Sequence, residues 1–373
     1  MRAVGVIVEY NPFHNGHKYH LEKAKEVTGA DLIIAVMSGD FTQRGEIACI
    51  NRFKRAETAL ANGIDLVAEL PIFYSSQSAE IFARGAMEIL GELGVEWVVF
   101  GSESGDIKEI EKIATMEECD DFKSHLESYL KKGFSYPTAY SESLKNLGIT
   151  QNIKSNDILG IEYVKSEKKL RRRVKMVPIK RIGAGYHDLQ GVGEIASATG
   201  IRKMIGEKDS VEHYMPEATL KLIKDEKIAS LDEYYPLIRY AILRDYDSLK
   251  NIQDVETGLE NRLYQCALEN LQFKDFFQKL VTKRYTIGRL QRILVHILTG
   301  LTTDITRETK ETLPYVNIFG FNQKGQEYLK YLKKNINKYL SAHEHKLFYF
   351  NERASEIYKM VNNYEERKIP IRK

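Results

Sequence analysis

An apolar run, Ala3-Val4-Gly5-Val6-Ile7-Val8, leads straight into Glu9-Tyr10-Asn11-Pro12-Phe13-His14-Asn15-Gly16-His17. The run is short and free of charge, and it reads as a strand buried on both faces of a parallel sheet. Asn11-Pro12 ends it, because proline has no N–H for a ladder and biases the residue before it towards an extended turn. Beyond Gly16, Leu21, Ala24 and Val27 recur at helical spacing, so the turn opens a helix. A helix start presents unpaired N–H groups and a partial positive charge. Gly16 allows a ligand close to the backbone. His14 and His17 can donate to phosphate oxygens and stabilise charge that grows during phosphoryl transfer. The competing reading of His14, His17 and His20 is a surface histidine cluster or a metal site. No cysteine or acidic pair close by completes a ligand set, and Gly16 has no part in that reading.

The alternation continues. Asp31–Ser38 is a second buried strand, followed by a polar loop, Gly39–Glu46. Helical spacing returns over Arg52–Asn62, a strand over Asp65–Leu70, a helix from about Gln77 to Leu93, and a strand at Glu96–Phe100 that ends in Gly101-Ser102-Glu103. Strands spaced by helices give right-handed βαβ units and a doubly wound parallel sheet, a Rossmann-like α/β fold. Ligands of such sheets bind beyond the carboxyl ends of the strands, where His14, Asp40 and Gly101 all fall. A helical stretch at Ile107–Lys132, a loop holding Tyr136-Pro137-Thr138, a helix from near Asn156 and a last strand, Val174–Lys180, complete this part. From about residue 216 strands become rare, and helical spacing runs through Leu237–Leu249, Leu259–Leu271 and Leu290–Leu298. The expected division is an α/β catalytic domain over residues 1–215 and a mostly helical domain over 216–373.

Composition narrows the class. With 43% hydrophobic and 29% charged residues, the chain reads as an ordinary soluble globular protein. It opens on a core strand with no signal peptide in view, and no apolar run is long enough to cross a bilayer, so a cytoplasmic setting without a membrane partner is expected. Cys49, Cys119 and Cys266 are isolated and odd in number, which fits a reducing compartment and not a disulfide framework or zinc module. The net charge of +3 is less informative than its distribution. Residues 281–340 carry eleven Lys/Arg against four Asp/Glu, an excess that points to an anionic macromolecular partner.

A second phosphate motif stands far downstream in Ile195-Ala196-Ser197-Ala198-Thr199-Gly200-Ile201-Arg202. Ser197 or Thr199 can cap the following helix and leave N–H groups for phosphate. Arg202 has a fixed fork of donors suited to phosphate oxygens. The pair of motifs resembles the HxGH nucleotidyltransferase superfamily, α/β enzymes that attack the α-phosphate of ATP and release pyrophosphate. The resemblance narrows with Glu9–His17, Met37-Ser38-Gly39-Asp40-Phe41 with Gln43-Arg44-Gly45-Glu46, Phe100-Gly101-Ser102-Glu103, Asn156 with Ile158-Leu159-Gly160, and Arg181, Gly183, Gly185-Tyr186-His187-Asp188. Together with Ser197-Ala198-Thr199 and Lys283-Arg284-Tyr285-Thr286, this ordered set resembles the bacterial tRNA(Met) cytidine acetate ligase family over nearly the whole chain.

That resemblance implies activation of acetate by ATP as acetyl-AMP, without CoA, followed by acetylation of N4 of the wobble cytidine of elongator tRNA(Met). It implies an ATP site of Ile7, Val8, Glu9, Tyr10, Asn11, Pro12, Phe13, His14, Asn15, Gly16, His17, Lys18, Tyr19 and His20, with Gly101, Asn156, Arg181 and Ile182. Ser197 and Thr199 join that set, and His14, His17 and Arg202 are the expected catalytic groups. Ser155-Asn156-Asp157 departs from the family's Pro-Asn-Asn but keeps the first Asn. Read without the resemblance, Gly101 turns the chain and Asn156 caps a helix. Mg²⁺ is expected to accompany ATP, with no dedicated carboxylate cage in the sequence.

Three groups keep open readings. Asp40, Gln43 and Arg44 sit with Glu46 at a strand's carboxyl end, either as a substrate loop (acetate on Arg44, cytosine on Asp40) or as a solvated turn. Tyr186-His187-Asp188 is a proton relay or a structural pair. Lys283, Arg284, Tyr285, Arg289 and Arg292 interleave cations with an aromatic ring, as tRNA binding requires, or form a solvated helix face. Lys168-Lys169-Leu170-Arg171-Arg172-Arg173 extends that track on the first reading. The rival function is a small-molecule adenylyltransferase, which uses both phosphate motifs but has no need of a basic helical domain. The sequence leaves the oligomeric state open.

Overall fold

A computed structural model describes residues 1–150, 153–170, 173–181, 195–224, 226–282, 284–312, 314–335, 342–364 and 370–373. Among the described residues seven strands form one sheet: β1 (Ala3–Val8), β2 (Leu32–Ser38), β3 (Leu66–Leu70), β4 (Trp97–Ser102), β5 (Lys175–Lys180), β6 (Ile318–Phe321) and β7 (Ile371–Arg372). Their order is β5-β4-β1-β2-β3-β6-β7. The first five are parallel, as the helix-spaced strands predict. The chain builds outward from β1 through β2 to β3, then returns to place β4 on the other side of β1. This reversal opens a crevice at the carboxyl ends of β1 and β4, the place where doubly wound sheets take ligands.

Side chains of a strand alternate between its faces, and the two faces here feed different cores. Val4, Val6 and Val8 pack with Ile33, Ala35 and Met37 against Leu21 and Ala24 of the Asn15–Thr28 helix. Leu32, Ile34 and Val36 face the opposite layer, with Phe82, Met87 and Leu90 of the Ala79–Glu92 helix. Gly5 permits that second layer to close, since a Cβ there would lie 2.7 Å from Leu90.

Two local expectations are corrected. Tyr136-Pro137-Thr138 is not loop but the first turn of the Tyr136–Asn146 helix, where a missing proline N–H costs nothing. The stretch expected over Ile107–Lys132 breaks at Cys119, whose extended backbone separates helices Ile107–Glu118 and Asp120–Lys131. The later part of the chain is mostly helical, as expected, and also extends the sheet: β6 pairs antiparallel with β3 and parallel with β7. Both strands are too short to stand out by periodicity, and pairing with the open edge of β3 is what orders β6. Leu290, Ile293 and Leu294 share one apolar core with Leu32, Ile34 and Leu66. Among the described residues, no helix is long and apolar enough to cross a membrane.

Candidate active site

A cavity of about 250 Å³ lies at the crevice, and residues of the His14–His17 and Ser197–Arg202 motifs line it. From the first motif it takes Ile7, Val8, Glu9, Tyr10 and Asn11, then His14, Gly16, His17, Tyr19 and His20. The rest of that expected set does not line it. Phe13 is buried in the core, Asn15 donates from Nδ2 to the His213 carbonyl at 2.9 Å, Lys18 is exposed, and Pro12 is absent from the walls. A contiguous motif cannot aim every residue at one ligand, because successive helical side chains point about 100° apart.

His14 is the N-cap of the first helix, and its ring stacks on His17 at 3.7 Å between centroids. His17 Nδ1 accepts the His14 backbone N–H at 3.3 Å. A neutral imidazole that accepts at Nδ1 carries its proton on Nε2, so His17 retains a donor for a ligand. Burial lowers the pKa of His14 to about 3, with the nearby Arg181 cation adding to the effect. Burial, then His14 and Arg181, hold His17 well below its ordinary value, and burial with Arg181 brings His20 to about 4. All three rings are therefore neutral donors at physiological pH, and Arg181 supplies the positive charge among them. Gly16 has a steric reason too: a Cβ there would meet His14 Cε1 at 2.9 Å.

Gly101, Asn156 and Arg181 also line the cavity, while Ile182 lies outside the described residues, as do Tyr186, His187 and Asp188. A Cβ on Gly101 would touch the Arg181 side chain at 3.5 Å, ordinary van der Waals contact, so Arg181 lies directly against this position. Asn156 Nδ2 donates to Glu103 Oε1 at 2.6 Å, leaving its carbonyl oxygen for a partner. Glu103 also takes the Asp157 N–H at 3.0 Å, while the Asp157 carboxylate takes the N–H groups of Glu103 and Ser104, each at 3.1 Å. This reciprocal clasp fixes the helix Ser155–Glu167 to the end of β4. Two backbone donors explain why a carboxylate can stand at position 157, a role that the sequence reading left open.

Ser197 caps the Ala198–Glu207 helix by accepting the Gly200 N–H at 3.0 Å, and Thr199 lines the cavity beside it. Arg202 joins the two motifs: Nη1 donates to the Asn11 carbonyl and Nη2 to Glu46 Oε2, both at 2.7 Å. Glu46 had no individual role in the sequence reading, since a carboxylate in a polar loop carries no signal of its partner.

The model of the HIGH Nucleotidyl Transferase family matches residues 1–370. A protein of Fusobacterium nucleatum named tRNA(Met) cytidine acetate ligase is 44% identical, over 99% of this chain and 98% of its own. One of the same name from Clostridium perfringens is 40% identical, over 97% and 96%. The chain belongs to the tRNA(Met) cytidine acetate ligase family. The solved apo structure of Thermotoga maritima TmcAL superposes with a TM-score of 0.90 at 33% identity, over 100% of this chain and 99% of that one. The same enzyme bound with alpha-thio ATP gives 0.88 at 32% identity, over 100% of both chains.

Within this ligase fold the polar loop after β2 divides by function. Gln43 and Arg44 line the cavity, but Asp40 does not: it is buried, accepting the Arg52 N–H at 2.9 Å and the Tyr364 hydroxyl at 3.0 Å. Asp40 thus fits neither open reading, cytosine contact or solvated turn, because it is buried among internal donors away from the cavity.

The basic segment is also rearranged. Lys283, Arg171 and Arg172 lie outside the described residues. Tyr285 is only 8% exposed, flanked by the Arg284 and Arg289 guanidinium groups at 5.5 Å, so its ring is not free to stack on a base. Glu256 pairs with Arg284 at 2.8 Å and Arg289 at 2.7 Å, while Arg292 lies 3.7 Å from Asp254. In the expected extension of the track, Lys168 pairs with Glu118 and Arg173 with Glu167, each at 3.1 Å. The segment nevertheless adjoins the cavity wall. Gly45 has φ +73°, and a Cβ there would fall 2.1 Å from the Arg292 backbone nitrogen. The loop carrying Gln43 and Arg44 therefore rests on the Ile287–Thr299 helix.

Proposed function

We propose that this chain activates acetate with ATP and acetylates N4 of the wobble cytidine of elongator tRNA(Met), working in the cytoplasm. The observation that carries this reading is Arg202, which ties the strand–turn–helix motif to the Ser197 motif across one cavity. An acetate oxygen attacks the α-phosphorus, the bond to the bridging oxygen of the β-phosphate breaks, and pyrophosphate departs. Neutral His14 and His17 donate to the developing charge, and Arg202 meets the departing phosphates once it exchanges Glu46 for them. Arg181, Gly101 and Asn156 take the nucleoside end. Catalysis is then positioning and charge stabilisation, with no covalent enzyme intermediate. Cys49 is no candidate nucleophile, since burial pushes its thiol up to about 11. Mg²⁺ is proposed to accompany ATP as part of the substrate.

Free acetate is the proposed acyl donor. Incubating the chain with labelled acetate, ATP and tRNA(Met), without CoA, is expected to label the tRNA. Label that appears only from acetyl-CoA overturns the reading.

The helical part, residues 216–373, is proposed to hold the tRNA, with Arg284 and Arg289 as phosphate contacts that leave Glu256 on binding. Each lost phosphate contact flattens the salt dependence of binding by roughly one unit of slope. An Arg284→Ala/Arg289→Ala variant is expected to bind tRNA with a slope lower by about two units. Binding measured across a salt series checks this, and an unchanged slope removes both residues from the interface.

A further inference from the structure

The cavity has a wall that neither phosphate motif supplies. Phe82 of the Ala79–Glu92 helix, Phe100 of β4, and Leu159 and Tyr163 of the Ser155–Glu167 helix form it. Phe100 and Tyr163 meet edge to face at 5.7 Å. Asn156, Leu159 and Tyr163 are three and then four residues apart, so they share one helix face. Tyr163 stands two turns, about 10 Å, beyond the Asn156 end assigned to the nucleoside.

Two polar groups that line this region carry an oxygen that no described residue takes up. Glu9 Oε1 accepts the Gln43 N–H at 2.7 Å, and among the described residues Oε2 has no protein hydrogen bond. The Tyr163 hydroxyl likewise makes none, although the residue is only 4% exposed. Both residues line the cavity, so these oxygens are available to a molecule bound there. A triphosphate does not suit a carboxylate, and neither does an acetate anion. A planar ring with an amine donor does: it fills an aromatic slot and gives an N–H to the free oxygen. Bases brought out of a nucleic acid for chemistry are held in this manner, by stacking and by bonds to their edges.

We propose that this wall seats the acceptor cytosine, its ring against Phe82 and Tyr163 and its N4 amine on Glu9 Oε2, with Glu9 as the base for acetyl transfer. The inference rests on the ligase reading above. It moves Glu9 from the nucleotide to the acceptor. The N4 lone pair forms the bond to the acetyl carbonyl carbon, the carbon–oxygen bond to AMP breaks, and AMP leaves with that electron pair. One N4 proton passes to the Glu9 carboxylate and then to water. Burial raises the Glu9 pKa, Glu46 reinforces the rise, and the Gln43 N–H, Arg44 and Arg55 oppose it. Tyr163 faces the same group. A raised pKa makes Glu9 a stronger base, and its charged form is lost as pH falls through that raised value.

The test separates the two half-reactions in the full chain. ATP–pyrophosphate exchange with acetate reads the first; single-turnover transfer from synthetic acetyl-AMP to a tRNA(Met) transcript reads the second. Glu9→Gln is expected to slow transfer by on the order of a hundredfold, the scale of a lost general base, and exchange by far less. Wild-type transfer is expected to rise with pH through a limb above the ordinary carboxylate range, and Glu9→Gln to lose that limb. Tyr163→Phe, which keeps the ring, is expected to weaken tRNA use in transfer by several-fold. Equal losses in both half-reactions return Glu9 to the nucleotide and overturn the proposal, as does a raised KM for acetate alone. Unchanged transfer in Glu9→Gln also overturns it. If the wild-type chain itself moves no acetyl group from acetyl-AMP to tRNA(Met), the ligase reading fails, and the proposal with it.

Discussion

His17→Ala is expected to lower ATP–pyrophosphate exchange by on the order of a hundredfold or more, the equivalent of about 3 kcal/mol for one lost donor at developing charge. His14→Ala is expected to do the same. The two effects will not add simply, because the rings stack at 3.7 Å and each orients the other. His17 also accepts the His14 N–H at the helix start, so its loss removes a cap worth about 1 kcal/mol. The variant should still fold, which circular dichroism and a denaturant midpoint would establish before activity is compared. Exchange should show no titration of these rings between pH 5 and 8. Burial keeps His14 neutral down to about 3, and His17 is held well below its ordinary value. Near-normal exchange in both variants, or an acid limb near the ordinary histidine pKa that His17→Ala abolishes, would refute neutral-donor catalysis.

Arg52→Met is expected to cost about 3–5 kcal/mol of stability, the usual penalty for stranding a buried charge. Arg52 is 1% exposed and sits 3.1 Å from Glu69, which is fully buried, and 3.8 Å from Asp40. Its outer partner, Glu352, is 3.1 Å away and 27% exposed. Removing the guanidinium leaves Asp40 and Glu69 as buried carboxylates without a cation. Asn317 and Asn351 would still donate to Glu69, at 2.7 and 2.9 Å, but neither carries charge. Against a typical total of 5–15 kcal/mol, the loss is large enough to unfold a marginal chain. Glu352→Gln, at the partly solvated end, should cost far less. Urea midpoints of the two variants check this, and a loss below 1 kcal/mol for Arg52→Met would mean the network holds nothing together. The cluster joins the start of the Arg52–Ala61 helix, β3 and the Phe348–Lys359 helix, so its failure would also release the loop that carries Gln43 and Arg44.

The parallel sheet was legible because its signals are local. Six or seven apolar residues in a row, closed by Asn-Pro or Ser-Gly, leave a strand little choice, and the helices between them follow from spacing. The HxGH turn and the Ser197–Arg202 segment were legible for the same reason, each being contiguous and rich in residues with one good use. Pro137 misled because the first turn of a helix tolerates what its interior forbids. Tyr285 misled because a tyrosine between arginines looks alike whether its ring faces solvent or core. Asp40 and Glu46 stand in one loop with similar chemistry, yet one is buried on Arg52 and Tyr364 and the other holds Arg202 at the cavity.

By itself, then, the sequence determined the order of the five parallel strands, the family, and the two segments proposed to meet phosphate. Those properties depend on neighbours within a few residues, where periodicity, turns and caps act. Tertiary structure alone decided which residues share the cavity, that β6 and β7 close the sheet's edge, and that the Gly45 loop rests on the Ile287–Thr299 helix. It decided too that Glu9 and Tyr163 face one space. These are contacts between segments tens to hundreds of residues apart, and they arise from burial and charge pairing in the packed chain, for which a linear pattern carries no marker.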